Sequence, residues 1–420
     1  MKKVLILLAA LLLALAAHAQ ISPELDAYYR EFPQRLGFNV HSYEFLPIHD
    51  TPAPSGFKPF YISHYGRHGS RSGSDYAFLR LKNFMQIASD EGILTPEGDS
   101  LFADAKRFVS YHNGMDGRLT PRGVREHEML ARRMYKRYRC VFRRGEVHAL
   151  SSTVPRCLVS MNAFTSALKE CKKDLVITWD CGEKYQRFIA RSGTDTLKNQ
   201  AALLVREQLE SAPAIDTMAV FARYFTSPER AVEIFQKPRR LISYIYSIAQ
   251  FAEAFDVDDN LYSRLPWEAV VIRSQGHVLS AYLNQCNSLE LGDLRTPRAC
   301  LLADEIVRKA DEAIAGAPVA ADLIFGHDWP FLGICSYFGL EGYGYPRLSA
   351  EEAFRSWNGS KLCPFAANLQ IIFYRNRKGV VLVKFLANEQ ETLIPELQAY
   401  SGPYYKWDDV KGFIGKRPRL

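Results

Sequence analysis

The spacing of apolar and polar positions predicts both strands and helices. A run rich in aromatic residues from Phe57 to Ile62 indicates a short buried strand, which ends at Tyr65-Gly66 in a basic loop. Further strands are predicted over 146–152, 174–180 and 322–326, with a closing hairpin over 368–375 and 380–386. Helical spacing is found over 75–91, 95–111, 119–144 and 157–171. This alternation predicts an α/β fold with a mostly parallel central sheet flanked by helices.

The pattern changes between residues 183 and 297. Long helical patterns dominate there, for example over 197–211 and 240–255, and strand signals are absent from this part of the sequence. One more helix is expected over 298–315. We therefore expect an inserted helical domain over 183–297, within an α/β core formed by 20–182 and 298–420.

The first residues resemble a secretory signal peptide. Lys2 and Lys3 precede an apolar run of 14 residues from Val4 to Ala17, and Ala19 supplies a small residue before the expected cleavage site. The run is too short for a comfortable membrane span. We expect residues 1–19 to be removed and the mature protein to be periplasmic or secreted, with no membrane span.

The net charge indicates the class of ligand, and the cysteine content indicates whether disulfide bonds form. The formal charge is +7 and falls to +5 without Lys2 and Lys3, a mild excess that suits small anionic substrates and does not indicate nucleic-acid binding. Eight cysteines in an exported protein predict disulfides. We expect Cys286 to pair with Cys300 first, because the residues between them read as a short closed loop. Oligomeric state is not indicated.

The loop after the first strand holds the first candidate site residues. Arg67, His68 and Arg71 follow one another closely, together with Gly69. A helical turn after Gly69 would bring both arginines to one side, where guanidinium groups suit the oxygens of a phosphate. Their charge would keep His68 neutral and nucleophilic. A basic surface loop with an incidental histidine is the alternative.

Two later strands also end in polar side chains. Arg156 follows the strand over 146–152, and His327 with Asp328 follows the strand over 322–326. Ligands of open α/β sheets bind beyond the carboxyl ends of strands, so one pocket could collect all of these groups. Taken alone, His327 would be interpreted as a core histidine and Arg156 as a residue joining strand to helix. His64 is interpreted either as a residue that supports the site residues from behind or as a packing residue.

Four motifs in order resemble the histidine phosphatase superfamily. They are R-H-G-x-R (Arg67 to Arg71), L-T-x-x-G (Leu119 to Gly123), S-S-x-x-x-R-C-x-x-S (Ser151 to Ser160) and G-H-D (Gly326 to Asp328). The H-D ending and the helical insert resemble the histidine acid phosphatase and phytase branch. The overall layout is similar also to the multiple inositol polyphosphate phosphatases, although those often end the motif in H-A-E.

The resemblance implies a role for each matching residue. His68 would attack phosphorus and form a phosphohistidine, and Asp328 would protonate the leaving alkoxide. The phosphoryl oxygens would be held by Arg67, Arg71, Arg156 and His327. No metal or other cofactor is implied, because the arginines supply the positive charge. A bound phosphate favours the protonated form of a nearby aspartate, so an acidic optimum is expected.

The sequence departs from the family pattern at two places. Gly73 stands where the family often has proline, which would loosen the first loop. Trp329 and Pro330 follow Asp328, where many acid phosphatases and phytases have Thr-Asn. From the sequence alone, these two departures leave undecided how active the site is and how the floor of the pocket is built.

Three functions follow from these patterns. The first is an exported phosphomonoesterase acting on phytate or another multiply phosphorylated small molecule. The alternative is a non-catalytic phosphate-ester binding protein, which the presence of both His68 and Asp328 disfavours. A nucleic-acid binder using the basic residues 132–139 is the third, but apolar residues interleave with this stretch as on an amphipathic helix.

Overall fold

The structure is a computed structural model that describes residues 21–143, 145–189, 196–292 and 299–419. Within these ranges eight strands form one sheet, in the order β3-β2-β4-β1-β5-β6-β7, with β8 paired to β6. The strands are β1 (Lys58–Arg67), β2 (Glu146–Ser151), β3 (Ile177–Cys181), β4 (Val319–Gly326), β5 (Asn368–Arg375), β6 (Val381–Ala387), β7 (Gln390–Thr392) and β8 (Tyr404–Lys406). The expected signal peptide lies outside the described residues.

Helices cover the sheet and form a separate layer beside it. They are α1 (Pro23–Glu31), α2 (Asp75–Asp90), α3 (Pro96–His112), α4 (Pro121–Arg137), α5 (Pro155–Cys171), α6 (Glu183–Ile189), α7 (Thr196–Glu210), α8 (Thr217–Tyr224), α9 (Pro228–Phe235), α10 (Arg239–Phe251), α11 (Trp267–Gln285), α12 (Cys300–Ile314), α13 (Asp328–Tyr337), α14 (Ala350–Ser356), α15 (Gly359–Leu362) and α16 (Trp407–Ile414). Short 3-10 turns cover Pro33–Gly37, Val141–Arg143, Glu253–Phe255 and Leu261–Arg264.

One half of the sheet is parallel. β4 lies between β2 and β1, and β3 forms the outer edge beyond β2. Arg67, the last residue of β1, is paired with Gly326, the last residue of β4, and Ser151 of β2 is paired with Phe325. The loops that follow these three strands therefore start at the same edge of the sheet, where α/β proteins bind ligands.

The other half is antiparallel. β5 runs beside β1 in the opposite direction, and the hairpin partner β6 continues the sheet to β7 and β8. Because β5 is antiparallel to β1, its first residues lie next to the last residues of β1. The amide of Arg67 accordingly donates to the carbonyl of Ala367, just before β5, at 2.8 Å. The late segment 363–367 thus lines the same edge.

Apolar side chains form three buried clusters. One covers a sheet face with residues of α11, α12 and α13, and another covers the opposite face with residues of α4 and α5. The third joins α2 and α3 to α8, α9 and α10, and it includes Leu25 and Tyr29 of α1. Helices that precede residue 183 therefore pack with helices of the expected insert. The domain boundaries at 182/183 and 297/298 stay a prediction.

The predicted fold class is confirmed, as are the strand and helix positions along most of the chain. The helix expected to reach about residue 144 instead ends at Arg137, because Tyr138 caps it and turns its ring into the core. The basic residues of α4 pair with acids of other segments: Arg132 with Glu170, and Arg137 with Asp50. Among the described residues, none of the helices combines the length and apolar character needed to cross a bilayer.

The cysteine prediction differs from the structure. All eight cysteines are free thiols, and the expected bond between Cys286 and Cys300 is not formed. Cys286 caps the end of α11 and Cys300 opens α12, and both side chains are buried in the cluster that covers the sheet. A buried thiol packs as a small apolar group, and these two cysteines fill core positions of adjacent helices.

Candidate active site

The ends of β1, β2 and β4 bring the predicted site residues together. The amide of His68 donates to the carbonyl of Gly326 at 3.0 Å, and the rings of His68 and His327 lie edge to face with centroids 5.7 Å apart. Ser152, after β2, donates its amide to Phe325 at 2.9 Å. Strands distant in sequence thus deliver two histidines to one pocket, as the sequence predicts.

His68 is held in one orientation. Its Nδ1 lies 2.9 Å from the carbonyl oxygen of Gly69. A carbonyl oxygen only accepts hydrogen bonds, so Nδ1 carries the proton and Nε2 keeps its lone pair. Burial, then the charges of Arg67, Arg71 and Arg156, hold the pKa of His68 well below the ordinary imidazole value. The ring is therefore neutral in mild acid, with Nε2 available as a nucleophile.

Arg67 is anchored by main-chain oxygens. Its Nη1 donates to the carbonyls of Asn39 at 2.6 Å, Pro364 at 2.9 Å and Cys363 at 3.1 Å. The guanidinium group also lies over the ring of Phe365, 4.8 Å from the centroid, while Nη2 lies 3.6 Å from Asp328 Oδ2. The side chain is 2% exposed, so this charge is fixed in place before any substrate arrives.

Arg71 reaches the pocket by a different route from the one predicted. No helix follows Gly69 in the described structure: Arg71 forms an isolated bridge with Leu119, and α2 begins only at Asp75. Its Nη1 donates to the carbonyl of Ser72 at 2.8 Å, and its guanidinium group lies over the ring of Phe251. Burial, together with the like charge of neighbouring arginines, lowers the pKa of Arg71 to about 10.

Arg156 and His327 form the third side of the pocket. Arg156 is the second residue of α5, and its Nη2 lies 3.5 Å from His327 Nδ1. The Oγ of Ser152 lies 3.3 Å from His327 Nε2. Burial and the charge of Arg156 lower the pKa of His327 to about 4. His327 is therefore a neutral hydrogen-bonding group above this pH.

Asp328 opens α13, and both of its oxygens are engaged. Oδ1 accepts the amide of Trp329 at 3.0 Å, and Oδ2 accepts the side-chain amide of Asn39. The side chain is 17% exposed, which leaves the carboxyl group open to the pocket mouth. All six residues predicted for the site thus surround one small volume; their catalytic roles stay a prediction.

The L-T-x-x-G motif contacts and stabilises the loop that follows β1 and carries His68. Thr120 donates its amide and its hydroxyl to the carbonyl of Ser70, at 2.9 and 3.1 Å. A side chain at Gly123 would collide with the Ser70 backbone, so only glycine permits this approach. From the third motif, Ser160 Oγ accepts the amide of Gly69 at 3.1 Å. Both motifs therefore hold the loop that carries His68.

A buried carboxylate completes this support. Glu126, on α4, accepts the Ser70 amide and the Ser70 hydroxyl, each at 2.7 Å, and the Tyr43 amide at 3.0 Å. Burial raises the pKa of Glu126, against the opposing effect of these donors. The carboxylate ties α4, the His68 loop and the segment before β1 into one unit.

The departure at Gly73 does not leave the loop loose. A Cβ atom there would meet the ring of Phe251 at 2.7 Å and Phe78 at 3.0 Å. The carbonyl of Gly73 also accepts the amide of Gly117 at 3.1 Å. Aromatic packing from α10 and α2 thus occupies the space that a proline ring would need.

Several residues of the site are not indicated by the sequence motifs. Asn39 bonds to both Arg67 and Asp328, and Tyr65 bonds to the backbone of His327. Pro364 offers a main-chain carbonyl, which no side-chain pattern marks. Asn39 lies in the stretch N-V-H-S, which has no clear helix or strand period and no motif that marks it as part of a site. His64, as expected, is buried and packs against Phe164 and Phe325.

Comparison with known proteins decides the family. Residues 66–388 match the family described as "Histidine phosphatase superfamily (branch 2)". The chain belongs to the histidine phosphatase superfamily. The matched range contains all six predicted site residues, and the prediction of a phosphoric monoester hydrolase is confirmed at the level of the family.

Individual relatives agree with this assignment. Multiple inositol polyphosphate phosphatase 1 of Gallus gallus is 26% identical over 377 residues, which are 81% of this chain and 78% of that protein. The phosphate complex of the Bifidobacterium longum multiple inositol polyphosphate phosphatase has a TM-score of 0.75 at 15% identity, covering 92% of this chain and 98% of the other. The phytase from D. castellii has a TM-score of 0.71 at 15% identity, covering 96% and 89%. These structures share the fold.

Proposed function

We propose that this protein hydrolyses phosphate monoesters through a phosphohistidine formed on His68, with Asp328 as the general acid. The observation that carries the proposal is the state of His68. Its Nδ1 is bonded to the Gly69 carbonyl, its Nε2 makes no hydrogen bond to the described residues, and the charges of the buried Arg67 and the half-buried Arg71 and Arg156 act on it. Such a site binds a phosphate dianion next to a neutral nucleophile.

The first step forms the covalent intermediate. His68 Nε2 attacks phosphorus as the bond from phosphorus to the leaving oxygen breaks, and that electron pair passes to the leaving oxygen. Asp328 gives its proton to this oxygen, and the alcohol departs. Arg67, anchored by three carbonyls, has no reorganisation to undergo as charge spreads over the phosphoryl oxygens.

The second step releases phosphate. The Asp328 carboxylate accepts a proton from water, the water oxygen attacks phosphorus, and the bond between phosphorus and Nε2 breaks. His68 regains its lone pair, Asp328 regains its proton and inorganic phosphate leaves. The same carboxyl group thus serves as acid and then as base, which its exposure at the pocket mouth permits.

The relatives suggest the class of substrate. The Gallus gallus relative is named for inositol polyphosphates, and the Bifidobacterium longum structures include a complex with inositol hexasulfate. We propose a multiply phosphorylated small molecule, with phytate as the first candidate. Residues 1–19 have the pattern of a signal peptide, which supports action in the periplasm or outside the cell.

Phosphate release from p-nitrophenyl phosphate and from phytate, measured across pH 3 to 8 with EDTA present, tests this proposal. We expect release from both in acid and none from His68→Ala, with both proteins folded by circular dichroism. Full activity of His68→Ala would overturn the mechanism. Binding of phosphate by a wild-type protein that hydrolyses neither ester would favour a non-catalytic binding protein. Reversal of an EDTA effect by a metal would reveal a missing metal site.

A further inference from the structure

We infer that Asn39 is a positioning residue, which holds the general acid Asp328 in register with the phosphate-binding Arg67. The inference rests on the proposed function and concerns a segment outside the family motifs. The side-chain amide of Asn39 donates to Asp328 Oδ2, and the main-chain carbonyl oxygen of Asn39 accepts from Arg67 Nη1 at 2.6 Å. One residue therefore contacts both the acid and the cation.

The contact fixes which part of the carboxyl group faces the leaving group. Oδ2 accepts from Asn39 and lies 3.6 Å from Arg67 Nη2, so negative charge is favoured on this oxygen. Among the described residues, Oδ1 accepts one backbone amide, that of Trp329. The proton of the acid form therefore belongs on Oδ1, and Asn39 keeps the carboxyl group from rotating the other way.

The backbone around Asn39 is built to hold it there. Asn39 is the second central residue of a turn closed by a hydrogen bond of 3.0 Å from the Val40 amide to the Gly37 carbonyl. The preceding residue, Phe38, has φ of 56°, a conformation that a bulky side chain rarely adopts. Burial of Phe38 in the cluster against α11–α13 keeps the turn in this shape. Strained residues of this kind persist where surrounding structure holds them, often at active sites.

A second contact fixes the turn without touching the acid. Gln250, on α10, donates its side-chain amide to the carbonyl of Gly37 at 3.2 Å. Gln250→Ala removes this outside contact but leaves the Val40–Gly37 bond that closes the turn and both groups that bond to Asp328, so it serves as the matched control for Asn39 variants.

The test compares a poor with a good leaving group. Asn39→Ala should lower kcat/KM for an alkyl phosphate such as glycerol 2-phosphate by about 10-fold or more, while kcat/KM for p-nitrophenyl phosphate falls less than about 3-fold, because a phenolate needs little protonation. Inhibition by inorganic phosphate should stay unchanged, since the carbonyl that holds Arg67 belongs to the main chain. Gln250→Ala should keep the wild-type ratio of the two substrates.

The pH profile separates positioning from packing. Asn39→Asp keeps the side-chain volume but replaces the donor with a second carboxylate, and repulsion between the two carboxylates should move the descending limb of the kcat/KM profile to higher pH. In an Asp328→Asn background, Asn39→Ala should have no further effect on either substrate, because the acid on which it acts is gone.

The outcomes are distinct. An unchanged substrate ratio in Asn39→Ala, or an equal loss for both substrates in Asn39→Asp with no shift of the limb, would overturn the role of Asn39 while leaving the phosphatase intact. A wild-type protein that releases no phosphate from either ester would overturn the proposed function itself, and the inference with it.

Discussion

The Tyr65 hydroxyl group bonds to both backbone groups of one residue, His327. It accepts the His327 amide at 3.0 Å and donates to the His327 carbonyl at 3.1 Å. A side chain at the preceding Gly326 would collide with this hydroxyl group, which explains the glycine of the G-H-D motif. The position of His327 in the pocket therefore depends on a phenol from the neighbouring strand.

Tyr65→Phe should therefore weaken both folding and catalysis. It leaves the His327 amide without its Tyr65 acceptor and the His327 carbonyl with only the Phe331 amide at 3.4 Å, which should lower the free energy of unfolding by about 2 kcal/mol. We expect kcat to fall about 10-fold as the His327 ring shifts. Urea unfolding and turnover of p-nitrophenyl phosphate measure the two effects. Tyr61 lies on the same strand as Tyr65, and its hydroxyl group donates to Asp322. Tyr61→Phe should therefore lower the free energy of unfolding without lowering kcat. Equal kcat in both variants would contradict the role of Tyr65.

Asp328→Asn should affect substrates according to their leaving group. An amide has no proton to donate as an acid, so alkyl phosphates should lose about 100-fold or more in kcat/KM, which reports the step that releases the alcohol, whereas p-nitrophenyl phosphate should lose far less. Asparagine keeps the shape of the side chain, and circular dichroism should show the wild-type fold. Equal slowing of the two esters would remove Asp328 from the role of acid.

Two buried histidines should make the protein less stable in acid. Burial lowers the pKa of His64 and His127 to about 3, whereas both titrate near 6.5 when unfolded. Between these values the unfolded state binds more protons, so each histidine should lower the free energy of unfolding by roughly 1.4 kcal/mol per pH unit as the pH falls. Urea unfolding at several pH values from 6 to 4 measures the slope.

The variant that isolates this effect is His127→Phe, since His127 lies against the aromatic rings of Phe164 and Phe325. As the pH falls, the free energy of unfolding of this variant should decrease less steeply than that of the wild type, because the contribution of one of the two histidines is gone. His49, which is exposed, supplies the control substitution. A slope equal to that of the wild type in His127→Phe would contradict the prediction.

Glu126→Gln should loosen the loop that carries His68. The carboxylate accepts three donors, and a glutamine would turn its own N–H groups toward at least one of them. We expect the free energy of unfolding to fall by about 2–3 kcal/mol and kcat to fall with it. Glu128→Gln, two residues along α4, should change stability by less than about 0.5 kcal/mol. If the Glu126→Gln protein is as stable and as active as the wild type, Glu126 does not stabilise the loop that carries His68.

The sequence predicts those parts of the site that follow a strand directly. Arg67, Arg156 and His327 lie where a strand signal ends, and the common edge of a parallel sheet brings such residues together. The local prediction for Arg71 was wrong, because the bridge to Leu119 takes the place of a helical turn. Periodicity describes a segment alone, whereas this bridge depends on a segment about fifty positions away.

Other parts of the site have no local signature. Asn39 belongs to a segment without clear period, and its role depends on Asp328, which lies 289 positions further along the chain. Main-chain carbonyls such as that of Pro364 bind Arg67 whatever side chain they carry. The free state of Cys286 and Cys300 likewise depends on core packing, which cysteine number does not describe. The roles of these residues therefore depend on tertiary contacts, which the spacing of residues along the sequence does not indicate.

The anchoring of Arg67 by the carbonyl of Cys363 has a consequence for the timing of synthesis. The two residues are 296 positions apart, so a ribosome that has already made His68 must still add most of the protein before the neighbouring charge of Arg67 can be fixed in place. The amide of Ala366, which donates to the His68 carbonyl, arrives just as late. A growing chain therefore carries His68 long before the pocket around it is complete, and the hydrolysis that we propose requires the C-terminal strands to be in place.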